Sequence, residues 1–235
     1  MVKKQAAVKQ QAAAPKAARL EESIKTRVYL IDDHPLLVQG ITHLINADGN
    51  MQVVGTSGEW TVALKEIPEL KPDIVVLDIT LAKANGVEVL KNLRVHFPNL
   101  KVLMLSMHDE SLYAARSLRA GASGYLMKAS ASEEVITAIR QIVSGDIYLS
   151  ARMAKETMMQ LVGRKPEGET SPLVSLSDRE LEVYQMIGDG LTTRQIADRL
   201  NLSVKTVETH KAHVKEKLHL QTATELAQHA IQARG

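Results

Sequence analysis

Cysteine is absent from this 235-residue chain, which excludes disulfides and thiolate metal sites and agrees with a reducing compartment. Aromatic side chains are scarce, and with one Trp and one Phe the cores must be built from aliphatic residues. No apolar stretch approaches the roughly 18 residues that a membrane span requires. The N-terminus lacks the apolar centre of a signal peptide. These absences point to a cytoplasmic protein. The length, with 45% apolar residues, suits two globular domains better than one.

No single sign of charge dominates, but the net charge of +2 hides a division. Residues 1–25 carry six basic and two acidic side chains, residues 26–150 carry 11 and 14, and residues 151–235 carry 12 and 11. The pI of 8.7 is thus partly the work of the N-terminal stretch and by itself is poor evidence for nucleic-acid binding. That stretch, rich in Lys, Gln and Ala, has no large apolar residues to bury and is expected to be a disordered basic extension.

Four short apolar runs are present, and each stops on a side chain suited to phosphate chemistry. Val28–Ile31 ends on Asp32 and Asp33, Ile74–Leu77 on Asp78, Val102–Leu105 on Ser106, and Tyr125–Met127 on Lys128. Runs of this kind, without polar alternation, read as buried parallel strands. In an open α/β sheet, ligands bind beyond the carboxyl ends of the strands. Alone, each such residue is a turn former, a structural hydroxyl or a surface lysine. Their recurrence at successive strand ends makes a site.

Helical patterns fill the intervals. Pro35 suits a first turn, and Leu36, Leu37, Gly40, Ile41, Leu44 and Ile45 form a stripe of helical period. Val53-Val54 marks a second strand, with helices expected over 61–70, 87–95 and from an Asp109 cap to Ala120, where Gly121 stops the last. Ser130 and Glu133 have the spacing of a capping box for a fifth helix reaching Val143. Five strands alternating with five helices predict a doubly wound (βα)5 domain with a parallel five-stranded sheet, over residues 26–147. A partly helical linker follows over 148–173, with a helix at 151–161. Residues 174–235 carry no strand signal and predict a small all-α domain of four helices, with capping boxes at Ser177/Glu180 and Thr192/Gln195, and Ser203 capping a third helix.

Gathered at one sheet edge, Asp32, Asp33 and Asp78 would repel one another without a cation. An all-oxygen donor set selects a hard ion, and Mg²⁺ tolerates a few carboxylates plus waters and bridges to phosphate. The matching chemistry is attack by a carboxylate on a phosphodonor. Lys128 would stabilise the phosphoryl oxygens and Ser106 would hydrogen-bond the product. Asp78, alone in mid-sheet, is the best nucleophile. His34 has no partner at ligand spacing in the sequence and reads as an ordinary loop histidine.

These residues carry a resemblance. The Asp32-Asp33-His34-Pro35 segment, Asp78-x-x-Leu81-x4-Gly86, Leu105 to Asp109, and Gly121-Ala122-x-Gly124-Tyr125-Leu126-x-Lys128 resemble a bacterial response-regulator receiver domain over Arg27 to Gly145. The resemblance implies that Asp78 is the phosphoacceptor, that Asp32 and Asp33 hold Mg²⁺ with it, and that Ser106 and Tyr125 form a switch pair in which Tyr125 swings inward. Ala82 departs from the proline usual four residues after the phosphoacceptor.

Thr192 to Leu218 reads as helix, turn, helix, with Asn201 at a turn position that favours left-handed backbone. Val207, Val214 and Leu218 would face inward, leaving Lys205, Glu208, Thr209, Ala212 and Lys215 outward. If that face enters a major groove, Glu208 and Thr209 lie near base edges, while Lys205, Lys211, Thr192 and Thr193 meet phosphates. The segment from Leu176 to Leu220, with Gln195 to Leu200 and the stretch from Ser203 through Thr206 to His210, resembles the LuxR-type helix-turn-helix. Here Asn201 stands in place of the usual Gly. Receiver plus such a module is the architecture of the NarL/FixJ-like regulators.

The resulting expectation is a non-enzymatic two-component response regulator. A histidine kinase or phosphotransfer protein would phosphorylate it at Asp78, and it would bind double-stranded DNA, as a dimer, to control transcription. Two alternatives stand beside it. One is a regulator whose receiver no longer needs phosphate and serves only for dimerisation or ligand sensing. The other is an aspartyl-nucleophile phosphatase, disfavoured because Thr80 occupies the place of the general acid.

Overall fold

The computed structural model describes residues 25–81, 84–107, 110–161 and 171–233. Its first half runs β1 (Thr26–Ile31), α1 (Pro35–Ala47), β2 (Met51–Ser57), α2 (Trp60–Leu70) and β3 (Ile74–Asp78). A two-stranded antiparallel ribbon, β4 (Thr80–Leu81) and β5 (Ala84–Asn85), follows. Then come α3 (Gly86–His96), β6 (Lys101–Ser106), α4 (Glu110–Arg119), β7 (Gly124–Met127) and α5 (Ala131–Ser144). The five main strands form one parallel sheet in the order β2-β1-β3-β6-β7. The chain steps outward from β1 to β2, then returns to β3 and proceeds the other way. The winding therefore reverses between β1 and β3, where an open α/β sheet has its ligand crevice.

The apolar runs lack polar alternation because both faces of the sheet are covered. Val28 and Leu30 pack with Ile41, Ile45, Val135 and Ile139 on the α1/α5 side. Tyr29 and Ile31 pack with Ala63, Ile67, Leu90 and Leu93 on the other. All five residues of β3 are buried, and a fully buried aliphatic side chain such as Leu77 contributes about 1.5–3 kcal/mol.

Several expected details change. The second strand is longer than Val53-Val54 suggested, and Leu36 of the α1 stripe is 84% exposed while Ile41 and Ile45 carry the packing. The Ser130/Glu133 capping box does not form. Lys128–Ser130 winds into a 3-10 turn that leads straight into α5, so Ser130 has helical dihedrals and makes no side-chain cap bond. The basic extension, Ala82, the Asp109 cap and most of the predicted linker coil lie outside the described residues.

The second half comprises α6 (Ala151–Leu161), α7 (Asp178–Gly188), α8 (Thr193–Leu200), α9 (Val204–Lys217) and α10 (Ala223–Gln232). Ser177/Glu180 and Thr192/Gln195 form reciprocal capping boxes, and the Ser203 hydroxyl accepts from the Thr206 N–H. Asn201 ends α8 in the left-handed region (φ 52°, ψ 45°), which turns the chain into α9. Val207, Val214 and Leu218 are buried.

The two halves meet along α3, α4 and α7. Arg116 bonds Asp178 at 3.1 Å and the carbonyls of Leu173 and Val174 at 3.1 and 3.2 Å. Lys91 reaches the other Asp178 oxygen at 3.0 Å. The Tyr113 hydroxyl donates to Gln185 at 2.5 Å.

Candidate functional site

The sheet topology brings the ends of β1, β3, β6 and β7 to one edge. Asp78 closes β3 and is 1% exposed; its Oδ1 accepts the Thr80 N–H at 3.0 Å. Lys128, just past β7, places its ammonium 2.8 Å from Asp78 Oδ2 and 2.8 Å from Asp32 Oδ2. Asp33 stands beside them, opening onto a cleft that also involves Pro35, Ser57 and Glu59. Ser106 ends β6, fully buried, one residue past the partner of Asp78 in the strand register. The predicted acidic, hydroxyl and amine groups thus converge.

Burial pushes the Asp78 carboxyl up to about 6; the Lys128 ammonium pulls it down, and the charge of Asp32 adds to the rise. Two of the three carboxylates, Asp32 and Asp78, share one buried ammonium with Asp33 beside them, so the pocket holds surplus negative charge in a poorly solvated place. That donor set fits a hard divalent cation.

His34 corrects the sequence reading. Its Nδ1 lies 2.8 Å from Asp32 Oδ1, 3.1 Å from Asp33 Oδ1 and 3.6 Å from Asp78 Oδ2. Its partners are the carboxylates of the two residues just before it and that of Asp78 at the end of β3. Reading His34 together with the acidic pair, rather than alone, would have found it.

The close return of the chain beneath this edge depends on Gly86. A Cβ there would meet the Asp78 carbonyl oxygen at 2.3 Å and Ile79 Cα at 2.6 Å. The Gly86 N–H donates to the Ile79 carbonyl at 2.7 Å, which fixes the loop after Asp78. Tyr125, on β7, is fully buried and shares an apolar cluster with Tyr113 of α4 and with side chains of α7.

On the helical half, Lys205, Glu208, Thr209 and Ala212 are exposed, whereas Thr206, His210, Lys211 and Lys215 are half-buried. Glu208 accepts from the Thr193 hydroxyl at 2.8 Å and from Lys211 at 2.9 Å, and these bonds hold its carboxyl below the usual range. Lys211 also donates to Thr193 at 2.9 Å. Thr193, Glu208 and Lys211 thus form a knot that joins the start of α8 to α9, and Lys205 is left in solvent. Thr192 spends its hydroxyl on the cap of α8. Burial, then the neighbouring Arg179, pushes the His210 imidazole down. Sequence reasoning missed the domain clasp of Lys91, Tyr113, Arg116, Asp178 and Gln185, because contacts between separately patterned domains leave no periodic trace.

Residues 28–140 match the family model of the response regulator receiver domain, and residues 174–230 that of the luxR family of bacterial regulatory proteins. The chain belongs to the response regulators with a LuxR-type DNA-binding domain. The regulator is 32% identical over 213 residues to oxygen regulatory protein NreC of Staphylococcus epidermidis, covering 88% of this chain and 98% of that one. The Staphylococcus carnosus protein of the same name is 31% identical over 212 residues, with the same coverage. Among solved structures, a LuxR-family two-component response regulator from Aurantimonas is 33% identical with a TM-score of 0.55, covering 59% of this chain and 99% of that one. Salmonella RcsB bound to the rprA promoter shares the fold at 23% identity and a TM-score of 0.66, covering 87% and 97%. The Asp32, Asp33 and Asp78 cluster is typical of the receiver family's Mg²⁺ site.

Proposed function

We propose that Asp78 is the phosphoacceptor of this regulator and that phosphorylation controls its binding to double-stranded DNA. The observation that carries this reading is the 2.8 Å contact of Lys128 with Asp78 at the end of the central strand, beside the Asp32/Asp33 pair. An Asp78 carboxylate oxygen would attack the phosphorus of a phosphohistidine on a kinase or phosphotransfer protein. The P–N bond breaks, its electron pair stays on the imidazole nitrogen, and an acyl phosphate forms.

Asp32, Asp33 and Asp78 would hold Mg²⁺, which when bound neutralises charge on the transferring group. Lys128 lies where its ammonium can follow the phosphoryl oxygens, and the Ser106 hydroxyl borders the same edge. Tyr125, buried in the sheet and packed near α4, would pass the change to the domain boundary. Lys205, Lys211, Thr192 and Thr193 would serve the phosphate backbone, and Glu208, Thr209 and Ala212 the groove, with Thr206, His210 and Lys215 on the same helix. One recognition helix reads few base pairs, which favours a homodimer on paired half-sites.

We retain the boundaries 26–147, 148–173 and 174–235 and a cytoplasmic location; among the described residues no helix is long and apolar enough to cross a membrane. The phosphatase alternative finds no support. Thr80 gives its N–H to Asp78 and offers no carboxyl to act as acid.

Incubation with a small phosphodonor and Mg²⁺ should add one phosphoryl group by intact mass, and Asp78→Ala should abolish the gain. No gain in the parent protein overturns the reading.

A further inference from the structure

We propose that His34 is a ligand of the divalent cation in the receiver pocket, making this a mixed nitrogen-oxygen site that takes Mn²⁺ in preference to Mg²⁺. The inference rests on the cation role assigned to the Asp32, Asp33 and Asp78 cluster. Carboxylate and water ligands suit Mg²⁺ and Mn²⁺ alike, whereas an imidazole nitrogen favours transition ions.

The backbone aims His34 at the pocket. Its N–H donates to Asp32 Oδ1 at 2.8 Å. Pro35, next in sequence, confines it to extended dihedrals, and it adopts φ −99° and ψ 97°. From that tether Nδ1 stands 2.8, 3.1 and 3.6 Å from oxygens of Asp32, Asp33 and Asp78 and 3.5 Å from the Lys128 ammonium. Without an ion it donates its proton to Asp32, and ligation requires the tautomer that carries the proton on Nε2. Neighbouring ligands around an octahedral ion with bonds of about 2.1 Å lie roughly 3 Å apart, so the nitrogen already sits at the spacing of a ligand. One donor atom from each of the four residues lies within 4.8 Å of every other. The His34 side chain is 59% exposed, which puts it at the solvent edge of the pocket. Lys128 is the other nitrogen within reach, but its ammonium has no lone pair to offer and is engaged by Asp32 and Asp78.

The test uses the full-length protein loaded with Mn²⁺ alone. Pulsed EPR of the bound ion should show ¹⁴N coupling in the parent protein, altered when the histidines are labelled with ¹⁵N and absent in His34→Gln. By titration, His34→Gln should lose about tenfold in Mn²⁺ affinity while Mg²⁺ affinity changes by less than about twofold, since the substituted amide supplies oxygen but no nitrogen donor. Histidine labelling tests the assignment without altering the sequence, which covers a variant that folds poorly. Mn²⁺ bound through oxygen alone in the parent, or a nitrogen coupling insensitive to histidine labelling, overturns the His34 assignment and leaves the carboxylate site standing. A parent protein that binds neither ion, with Asp33→Ala indistinguishable from it, overturns the cation reading as well.

Discussion

Arg116 of α4 and Asp178 at the start of α7 meet at 3.1 Å across the boundary between the receiver and the DNA-binding domain. The Arg116 side chain is 7% exposed, and Lys91 of α3 reaches the second Asp178 oxygen. One turn before Arg116 on α4, Tyr113 is buried in the cluster that includes Tyr125 and donates its hydroxyl to Gln185 of α7. The helix that borders the switch tyrosine is therefore also the helix that grips the DNA-binding domain. A change at the phosphorylation edge that moved α4 would act on both bonds together.

Asp178→Ala should loosen this clasp. Arg116 keeps the carbonyls of Leu112, Leu173 and Val174 but loses its carboxylate, and a charged hydrogen bond of this kind contributes about 1.5–3 kcal/mol. Small-angle scattering should show a larger radius of gyration than for the parent, with the melting of each domain retained. An unchanged scattering profile would mean that apolar packing alone holds the domains.

The clasp should also respond to acid, and only to strong acid. Burial acts to raise the Asp178 carboxyl, but the bonds from Lys91 and Arg116 outweigh it and hold the group below the usual carboxylate range. A depressed value stabilises the closed arrangement fully above the free value of about 3.9 and is lost as pH falls through the bound value. Scattering should therefore be flat from pH 8 to 5 and expand only below about pH 4. Expansion already near pH 6 would place the titrating group elsewhere.

Much of the receiver was legible in its sequence for one physical reason. Strands buried on both faces must be continuously apolar, so the polar residue that ends each run stands out, and it ends at the ligand edge of the sheet. The caps at Ser177, Thr192 and Ser203 were legible because the donors they satisfy lie within three residues. His34 was legible only when read jointly with the acidic pair before it, because its third partner, on β3, is remote in sequence. The failure of the Ser130 box was not legible, since it depends on how Lys128 leaves β7 rather than on the S-x-x-E spacing.

Gly86→Ala tests the loop beneath the site. The added Cβ would stand 2.3 Å from the Asp78 carbonyl oxygen and 2.6 Å from Ile79 Cα, backbone atoms that cannot rotate away. The chain after Asp78 must shift, at a cost of about 1–3 kcal/mol, and the Thr80 N–H that holds Asp78 Oδ1 moves with it. Urea denaturation should show the loss of stability, and uptake of phosphoryl from a small donor should slow at least tenfold. Parent-like uptake would show that this loop does not position the acceptor.

Two substitutions on the DNA-facing side should move binding in opposite directions. Lys205 is exposed, so Lys205→Ala should weaken binding evenly across sequences and reduce the salt slope by about one unit. Glu208 instead restrains Lys211, which is bonded to it and to Thr193 at 2.9 Å each. Glu208→Ala removes a negative charge from the DNA-facing surface and releases that ammonium, so binding to random-sequence DNA should tighten and the salt slope should steepen by about one unit. Discrimination among operators should fall at the same time if Glu208 reads a base edge, because a carboxylate accepts from cytosine N4 and alanine does not. Fluorescence anisotropy at several salt concentrations, with specific and random duplexes, separates the two contributions. If Glu208→Ala weakens both duplexes equally, the knot with Thr193 and Lys211 instead serves to hold α8 against α9 in the orientation that DNA requires.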